Sequence, residues 1–405
     1  LDLPQQTHDL LRRILFPSSH CKLLSYQFAS HPLVQDLPGT PVPPLPFRKH
    51  PIYPDRRSSF SIDIMTRQAV REEAHSPGSP LVSVITPAYN SSAYIGETLA
   101  SVFAQTFTNF EVIVINGGSP DTQQLELALQ PYRDSIVYIK QANRGVAADR
   151  NAGVRVARGE YLAFLDGDDL WFPEYLASQM KFFEEMPSLD MIYCDARYFG
   201  DERQDDSTNI GNWRRAGTTC MEGSPSSGPV TFESLLAEQC SVVTSFTVAR
   251  RRVVVECGMF EEKMFRAEDF HMWIRVAYHG SNIAYHKAVL GGHRLHHGSL
   301  ASAATQSSQA VVAALEHILG SLDLTPERRF LVQRKIEKFQ ALADLHQGKV
   351  YLSVGEFEQA RRSLAKANAF FRGPKLSLVV AGLRFAPRLT RLGFSTWQKF
   401  VLEKW

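Results

Sequence analysis

The strongest constraint in this chain of 405 residues lies between residues 81 and 169, where short β-branched runs alternate with helical patterns and the last run opens directly onto carboxylates. Leu81-Val-Ser-Val-Ile-Thr86 reads as a strand ended by Pro87, Ser92 to Phe103 as a helix, and Phe110-Glu-Val-Ile-Val-Ile115 as a second strand. Ser135 to Ile139 reads as a third strand, the segment from about Gly145 to Ala157 as a helix, and Tyr161-Leu-Ala-Phe-Leu165 as a strand again. Strands alternating with helices pair mostly in parallel, and the loops at their carboxyl ends form a ligand crevice. The expected fold class is therefore α/β, a mostly parallel nucleotide-binding sheet flanked by helices.

Three regions are expected along the chain. Residues 1–79 crowd Pro41, Pro43, Pro44, Pro46, Pro51 and Pro54 into one run that neither a helix nor a central strand tolerates, and read as an irregular arm. Residues 80–302 form the main domain, with a polar, glycine- and serine-rich loop from about 200 to 230 as a candidate lid. Residues 303–405 read as helical, with Thr325-Pro-Glu as a helix start. Within them, Gly348, Tyr351, Gly355, Ala360, Leu364 and Ala367 sit at the offsets of a tetratricopeptide-like hairpin at 340–370. Such repeats normally need about three units to close a core, so a helical appendix packed on the main domain remains the alternative.

Composition narrows the function classes. With 44 Lys and Arg against 42 Asp and Glu the net charge is only +2, which argues against nucleic acid as a partner. The five cysteines are scattered without a CxxC pair, so neither a disulfide framework nor a zinc site is expected, and a reducing, cytoplasmic setting fits. The longest apolar stretch, Leu376 to Leu383, is far short of the roughly 18 residues that mark a membrane span. From Arg372 to Trp405, however, basic residues alternate with Phe385, Phe394, Trp397, Phe400 and Trp405. A segment of that kind either lies on an anionic membrane surface, here the inner face of the cell membrane, or packs on the domain.

Leu165-Asp166-Gly167-Asp168-Asp169 places three carboxylates on the turn that leaves a buried strand. Their repulsion is unfavourable unless a cation or hydrogen-bond donors offset it. Hard oxygen donors suit Mg2+ or Mn2+, ions that complete their shell with water and phosphate oxygens. Alone, an Asp-x-Asp turn is as readily a solvated helix cap.

The wider context resembles one family. Val82-Ser-Val-Ile-Thr-Pro-Ala-Tyr-Asn90, Gln105 to Ile115, Asn143-Arg-Gly-Val-Ala-Ala-Asp-Arg-Asn-Ala-Gly153, Ala157-Arg-Gly-Glu-Tyr161 and Phe164-Leu-Asp-Gly-Asp-Asp169 are similar, in order and spacing, to successive blocks of the family 2 inverting glycosyltransferases. With two blocks downstream, the resemblance spans roughly 80–302. It implies an A-type glycosyltransferase fold in which Asp166 faces the ribose, Asp168 holds the metal, and Pro87, Ala88, Tyr89 and Asn90 wall the base pocket. Arg150 would lie by the diphosphate or tie down the metal loop, unless it is a helix-face arginine paired with Asp149 or Glu160. Asn116-Gly117-Gly118-Ser119 departs from the family, which usually carries two aspartates before Gly-Ser. Asn116 keeps a polar contact, whereas Gly117 has no side chain, so a carboxylate to the base or ribose is expected to be missing.

Ala267-Glu268-Asp269-Phe270-His271-Met272-Trp273 resembles the family's Glu-Asp motif, implying Asp269 as the base and Glu268 as a residue that orients the acceptor or the helix. Read alone, the pair complements a helix dipole. His293-Arg294-Leu295-His296-His297-Gly298-Ser299 resembles a Tyr-Arg-x-His-x-Gly-Ser block, implying His296 as the second protein ligand of the metal and Arg294 as the group that neutralises the leaving diphosphate. Trp273 and Trp171-Phe172 read as core, with stacking on a sugar as the alternative. The implied partners are a nucleotide-diphosphate sugar, a UDP-sugar ahead of a GDP- or dTDP-sugar, and a glycan or lipid-linked acceptor. A non-catalytic nucleotide-diphosphate-binding or assembly module is the alternative, whereas a nucleotidyl transferase would need a glycine- and basic-rich loop where Pro87-Ala-Tyr-Asn90 stands.

Overall fold

The structure is a computed structural model that describes residues 79–200, 230–237, 242–296 and 304–393. The proline-rich arm, the candidate lid beyond residue 200, His297 to Ser299 and the chain after residue 393 lie outside the described residues.

The first half alternates as its patterning requires. Strand β1 (Val82–Ala88), helix α1 (Ile95–Phe103), β2 (Phe110–Asn116), α2 (Thr122–Leu129), β3 (Ile136–Lys140), α3 (Val146–Val156) and β4 (Tyr161–Phe164) follow in order. Next come the two-residue β5 (Leu170–Trp171), α4 (Tyr175–Glu185), β6 (Met191–Phe199), α5 (Phe232–Ala237), β7 (Thr247–Arg250), α6 (Arg251–Glu256), α7 (Glu268–Tyr278) and β8 (Ile283–Arg294). They build one eight-stranded sheet in the order β3-β2-β1-β4-β7-β6-β8-β5. β3, β2, β1 and β4 run parallel, and β6 pairs parallel with β8. β7 is antiparallel to both its neighbours, and β5 is antiparallel to β8.

Alternation along each strand divides the core into two layers, because successive side chains of a strand point to opposite faces. Val82, Val84 and Ala88 share a core with Ile95, Leu99 and Val102 of α1 and with Leu125 of α2. Ile85, Ile113 and Ile115 share another with Ala147 and Val154 of α3. On that side α3 lies very close to the sheet, since a Cβ on Gly153 would stand 2.6 Å from Ile85 Cγ2. In α1 the buried Ile95, Leu99 and Val102 recur at the spacing of one helix face.

Helix α8 (Ala304–Ser321) and the first half of α9 (Pro326–Val354) continue the α3-side core through Leu315, Ile318, Leu331, Val332 and Ile336. α9 starts where Thr325 Oγ1 accepts the Arg328 backbone N–H at 3.3 Å, with Pro326 at the first helical position. Gly355, at φ 89°, stops it and turns the chain into α10 (Phe357–Phe371). Gly348 lets the two helices close, because a Cβ there would meet Leu364 Cδ2 at 2.7 Å. Leu345, Leu352, Ala360, Leu364 and Ala367 join Leu383 of α11 (Pro374–Phe385) in a third, smaller core.

Candidate active site

β4 lies in the interior of the sheet, so the turn leaving it opens at the middle of the crevice. Leu165 N–H donates to Ile85 O at 3.0 Å and Gly167 N–H to Pro87 O at 3.2 Å, which ties the acidic turn to the exit of β1. Beside it, Asn90 N–H donates to Ser119 Oγ at 2.6 Å, bringing in the exit of β2. Tyr89 stays half exposed on this wall.

One side chain joins the acidic turn to α7. Arg150, buried in α3, places Nη2 2.8 Å from Asp166 Oδ1 and Nη1 2.7 Å from Glu268 Oε1. Burial works against its charge, but the carboxylates of Asp166, Glu268 and Asp269 outweigh that and hold its pKa above the ordinary value. The arginine thus ties down the acidic loop, and neither Asp149 nor Glu160 is its partner; Glu160 pairs with Arg250. Carboxylates 102 residues apart in the chain, at 166 and 268, converge on a single guanidinium.

α7 begins after Ala267, whose φ of 58° is left-handed, a conformation that costs a non-glycine residue roughly 1–2 kcal/mol and recurs at functional sites. Asp269 Oδ1 accepts the Phe270 N–H at 2.7 Å, and Oδ2 lies 3.5 Å from Thr244 Oγ1. Burial pushes the Asp269 carboxyl up, Asp166 adds to the shift, and Arg150 opposes it. Burial and the neighbouring Asp269 raise Glu268 to about 7, again against Arg150. A carboxylate with a raised pKa at a helix start is a competent proton acceptor.

The end of β8 closes the other side. His296 Nε2 lies 2.9 Å from Asp168 Oδ2, and both side chains are part exposed to the crevice. Burial raises Asp168, with Asp169 and Asp166 adding repulsion while the His296 bond opposes. Asp169 is different: it is buried, accepts the Arg294 N–H at 2.8 Å and lies 3.2 Å from His293 Nδ1. Those contacts overcome burial, lower Asp169 and raise His293 to about 9, so this pair fastens β8 to the acidic turn. Arg294 donates through Nε to Asp168 O at 2.8 Å and through Nη2 to Glu97 Oε2 at 2.6 Å, between the rings of Tyr94 and Phe199.

Among the described residues no group of three or more His, Cys, Asp and Glu side chains is arranged to hold a metal ion. The Asp168–His296 pair does suit Mg2+ or Mn2+, which take one or two protein donors and draw the rest of their shell from water and phosphate. Asn116 is buried, its amide donating to Thr122 Oγ1 and Tyr138 Oη, each at 2.9 Å, and its oxygen accepting Ser119 N–H. Trp273 and Trp171 are core residues, donating to Thr244 Oγ1 and Ser245 O; neither is a sugar platform. Thr244, Ser245 and Glu97 escaped the sequence reading because no local pattern marks them. Ser245 and Thr244 occupy a one-turn 3-10 segment before β7, where Ser245 Oγ accepts the Asp166 N–H at 3.1 Å.

Residues 83–255 match the family described as Glycosyl transferase family 2. An uncharacterized glycosyltransferase of Rickettsia bellii is 27% identical over 227 residues, which cover 56% of this chain and 31% of that protein. Another, from Rickettsia prowazekii, is 28% identical over 54% of this chain and 65% of its own length. The chain therefore spans from about a third to about two thirds of the length of these curated relatives. The structure of Staphylococcus aureus TarS 1-349 in complex with UDP-GlcNAc aligns at TM-score 0.50 and 20% identity, covering 76% of this chain and 88% of that one. The mannosyltransferase PcManGT from Pyrobaculum calidifontis, in complex with GDP-Man and Mn2+, aligns at TM-score 0.50 and 18% identity, over 84% and 92%. At these identities the two structures establish a shared fold.

Proposed function

This chain belongs to glycosyl transferase family 2 through residues 83–255, and from that premise we propose that it transfers a sugar from a nucleotide-diphosphate sugar to a hydroxyl of a glycan or lipid-linked acceptor, with inversion at the anomeric carbon. The observation that carries the reading is the guanidinium of Arg150 bridging Asp166 and Glu268, which sets the candidate base Asp269 against the acidic turn.

In this reading Pro87, Tyr89 and Asn90 border the nucleotide, with the fully buried Ala88 and Asn116 behind them holding the wall in place, Asp166 faces the ribose, and Arg294 lies beside the diphosphate. Asp269 takes the acceptor proton as the hydroxyl oxygen bonds to C1 and the nucleoside diphosphate departs. Glu268, held by Arg150, orients the first turn of α7 and keeps Asp269 in place. A divalent cation, Mn2+ or Mg2+, held by Asp168 and His296, would supply charge stabilisation to the leaving diphosphate. The UDP-GlcNAc of the TarS complex and the GDP-Man and Mn2+ of the PcManGT complex support a donor and cation of these classes.

The C-terminal helices support peripheral membrane contact. No helix among the described residues is long and apolar enough to cross a membrane. Leu378, Phe385, Leu389 and Leu392 are nevertheless exposed together with Lys375, Arg384, Arg388 and Arg391, the combination that binds anionic lipid surfaces.

The test is a screen of nucleotide sugars with Mn2+ for hydrolysis and transfer, run on the full chain and on Asp269→Asn. Loss of a general base predicts a rate lower by about 10²–10⁴-fold with nucleotide affinity retained. Undiminished turnover in Asp269→Asn would refute the assignment of the base. Nucleotide binding without turnover of any donor would favour a binding module instead.

A further inference from the structure

The exit of β2 shows an exchange of volume between two distant positions. A Cβ on Gly117 would stand 2.2 Å from Asp149 Oδ2 and 2.7 Å from its Cγ and Oδ1. The carboxylate of Asp149 therefore occupies the space in which a side chain at 117 would begin. Only glycine at 117 leaves that room, and the carboxylate absent from the strand end is present in space, delivered from the first turn of α3.

Its environment is that of a ligand-reading group. Asp149 is 2% exposed. Its Oδ1 accepts from Gln141 Nε2 at 2.6 Å, while Oδ2 receives no hydrogen bond from the described residues. Neighbouring cations are committed elsewhere, Arg150 to Asp166 and Glu268, Arg144 to Glu262, and Lys140 to Glu126. Oδ2 keeps what little exposure the side chain has and takes no donor from the described residues, so it is open to a donor from a bound ligand. The position, at the carboxyl end of a parallel strand beside the Asn90–Ser119 contact, is where a nucleotide would lie.

We propose that Asp149 is a specificity-determining residue that accepts a ring N–H of the nucleobase, made possible by Gly117. The assignment builds on the nucleotide-sugar reading above and narrows it. Uracil, thymine and guanine carry a ring N–H on the edge that pairs with other bases, whereas cytosine and adenine present a bare ring nitrogen there. A carboxylate attracts the first group and repels the second, and discrimination by an unpaired buried polar group is strong.

The experiment titrates UDP, GDP, CDP and ADP, each with MnCl2, into the full chain by calorimetry. Wild type is expected to bind UDP or GDP at least tenfold more tightly than CDP and ADP. Asp149→Asn preserves shape and the acceptor for Gln141, yet its amide can donate to a bare ring nitrogen. It is expected to weaken the preferred nucleotide by about ten- to a hundredfold and to collapse the ratio to CDP. The exchange Gly117→Asp with Asp149→Ala returns a carboxylate to the same space and is expected to restore the ratio. A wild-type preference for CDP or ADP, or an Asp149→Asn variant that shifts all four nucleotides alike, overturns the assignment and leaves glycosyl transfer standing. Failure of wild type to bind any of the four overturns both.

Discussion

Replacing Arg150 by methionine tests the architecture of the site most directly, because one side chain compensates carboxylates from two elements. Asp166 is about one-third exposed at 34%, so water can take over its half of the network, whereas Glu268 at 9% has no such recourse. Removing one partner of a buried pair costs about 3–5 kcal/mol; with the Asp166 half screened, the lower end, about 3 kcal/mol, is expected at pH 8. The penalty should depend on pH with a definite sign. Glu268 is raised to about 7 from an ordinary 4.5, so the folded state binds the extra proton and stability falls as pH rises through the folded value. In the wild type this group alone makes the protein about 1.4 kcal/mol more stable at pH 6 than at pH 8. Without Arg150, which opposes the rise, the folded-state value moves further up, so more of the loss falls inside the window, to a limit of about 2.7 kcal/mol for two pH units at about 1.36 each. Asp269, whose rise Arg150 also opposes, shifts in the same direction, so the penalty of Arg150→Met should shrink between pH 8 and pH 6, with up to about 1.3 kcal/mol of the change coming from Glu268. Adding Glu268→Gln should remove the part due to Glu268. Urea denaturation of wild type, the single and the double variant at both pH values measures it. A penalty under 1 kcal/mol at pH 8, or one that grows at pH 6, would refute the account of Arg150 as the compensating charge.

Burial also raises Asp269, so the acidic limb of kcat/KM is expected to have its midpoint above the ordinary carboxylate value of 3.8, with activity falling as pH drops through it; a limb at or below pH 4 would contradict Asp269 as the base. His296→Ala should weaken the Mn2+-dependent affinity for UDP by at least the ten- to hundredfold that losing even an outer partner costs a metal site, with affinity in EDTA unchanged. Titration with and without MnCl2 decides it, and an unaltered difference between the two would remove His296 from the metal site. Leu378→Glu combined with Phe385→Glu should abolish flotation with vesicles containing anionic lipid while leaving turnover of a soluble acceptor intact. Undiminished flotation would place any membrane contact elsewhere.

By itself, the sequence determined what is periodic or contiguous. The βα alternation from Val82 to Phe164, the acidic turn at Asp166 to Asp169 and the acid pair opening α7 were legible because alternation, helical spacing and capping act over a few residues. The helical character of the C-terminal region was legible for the same reason. Whatever depends on pairing across the chain was decided only by the tertiary structure. That β7 inserts antiparallel between β4 and β6 has no local signature, and that insertion brings Thr244 and Ser245 to Asp269 and Asp166. Arg150 read as a neighbour of the diphosphate or a tie on the metal loop, with Asp149 or Glu160 as alternative partners, until the fold carried Glu268 to it. Gly117 read as the loss of a carboxylate, because a sequence shows which position lacks a side chain but not which neighbour fills its volume. Space is shared between residues brought together by sheet register and helix packing, and at the exit of β2 that sharing puts Asp149 where the chain has only a glycine.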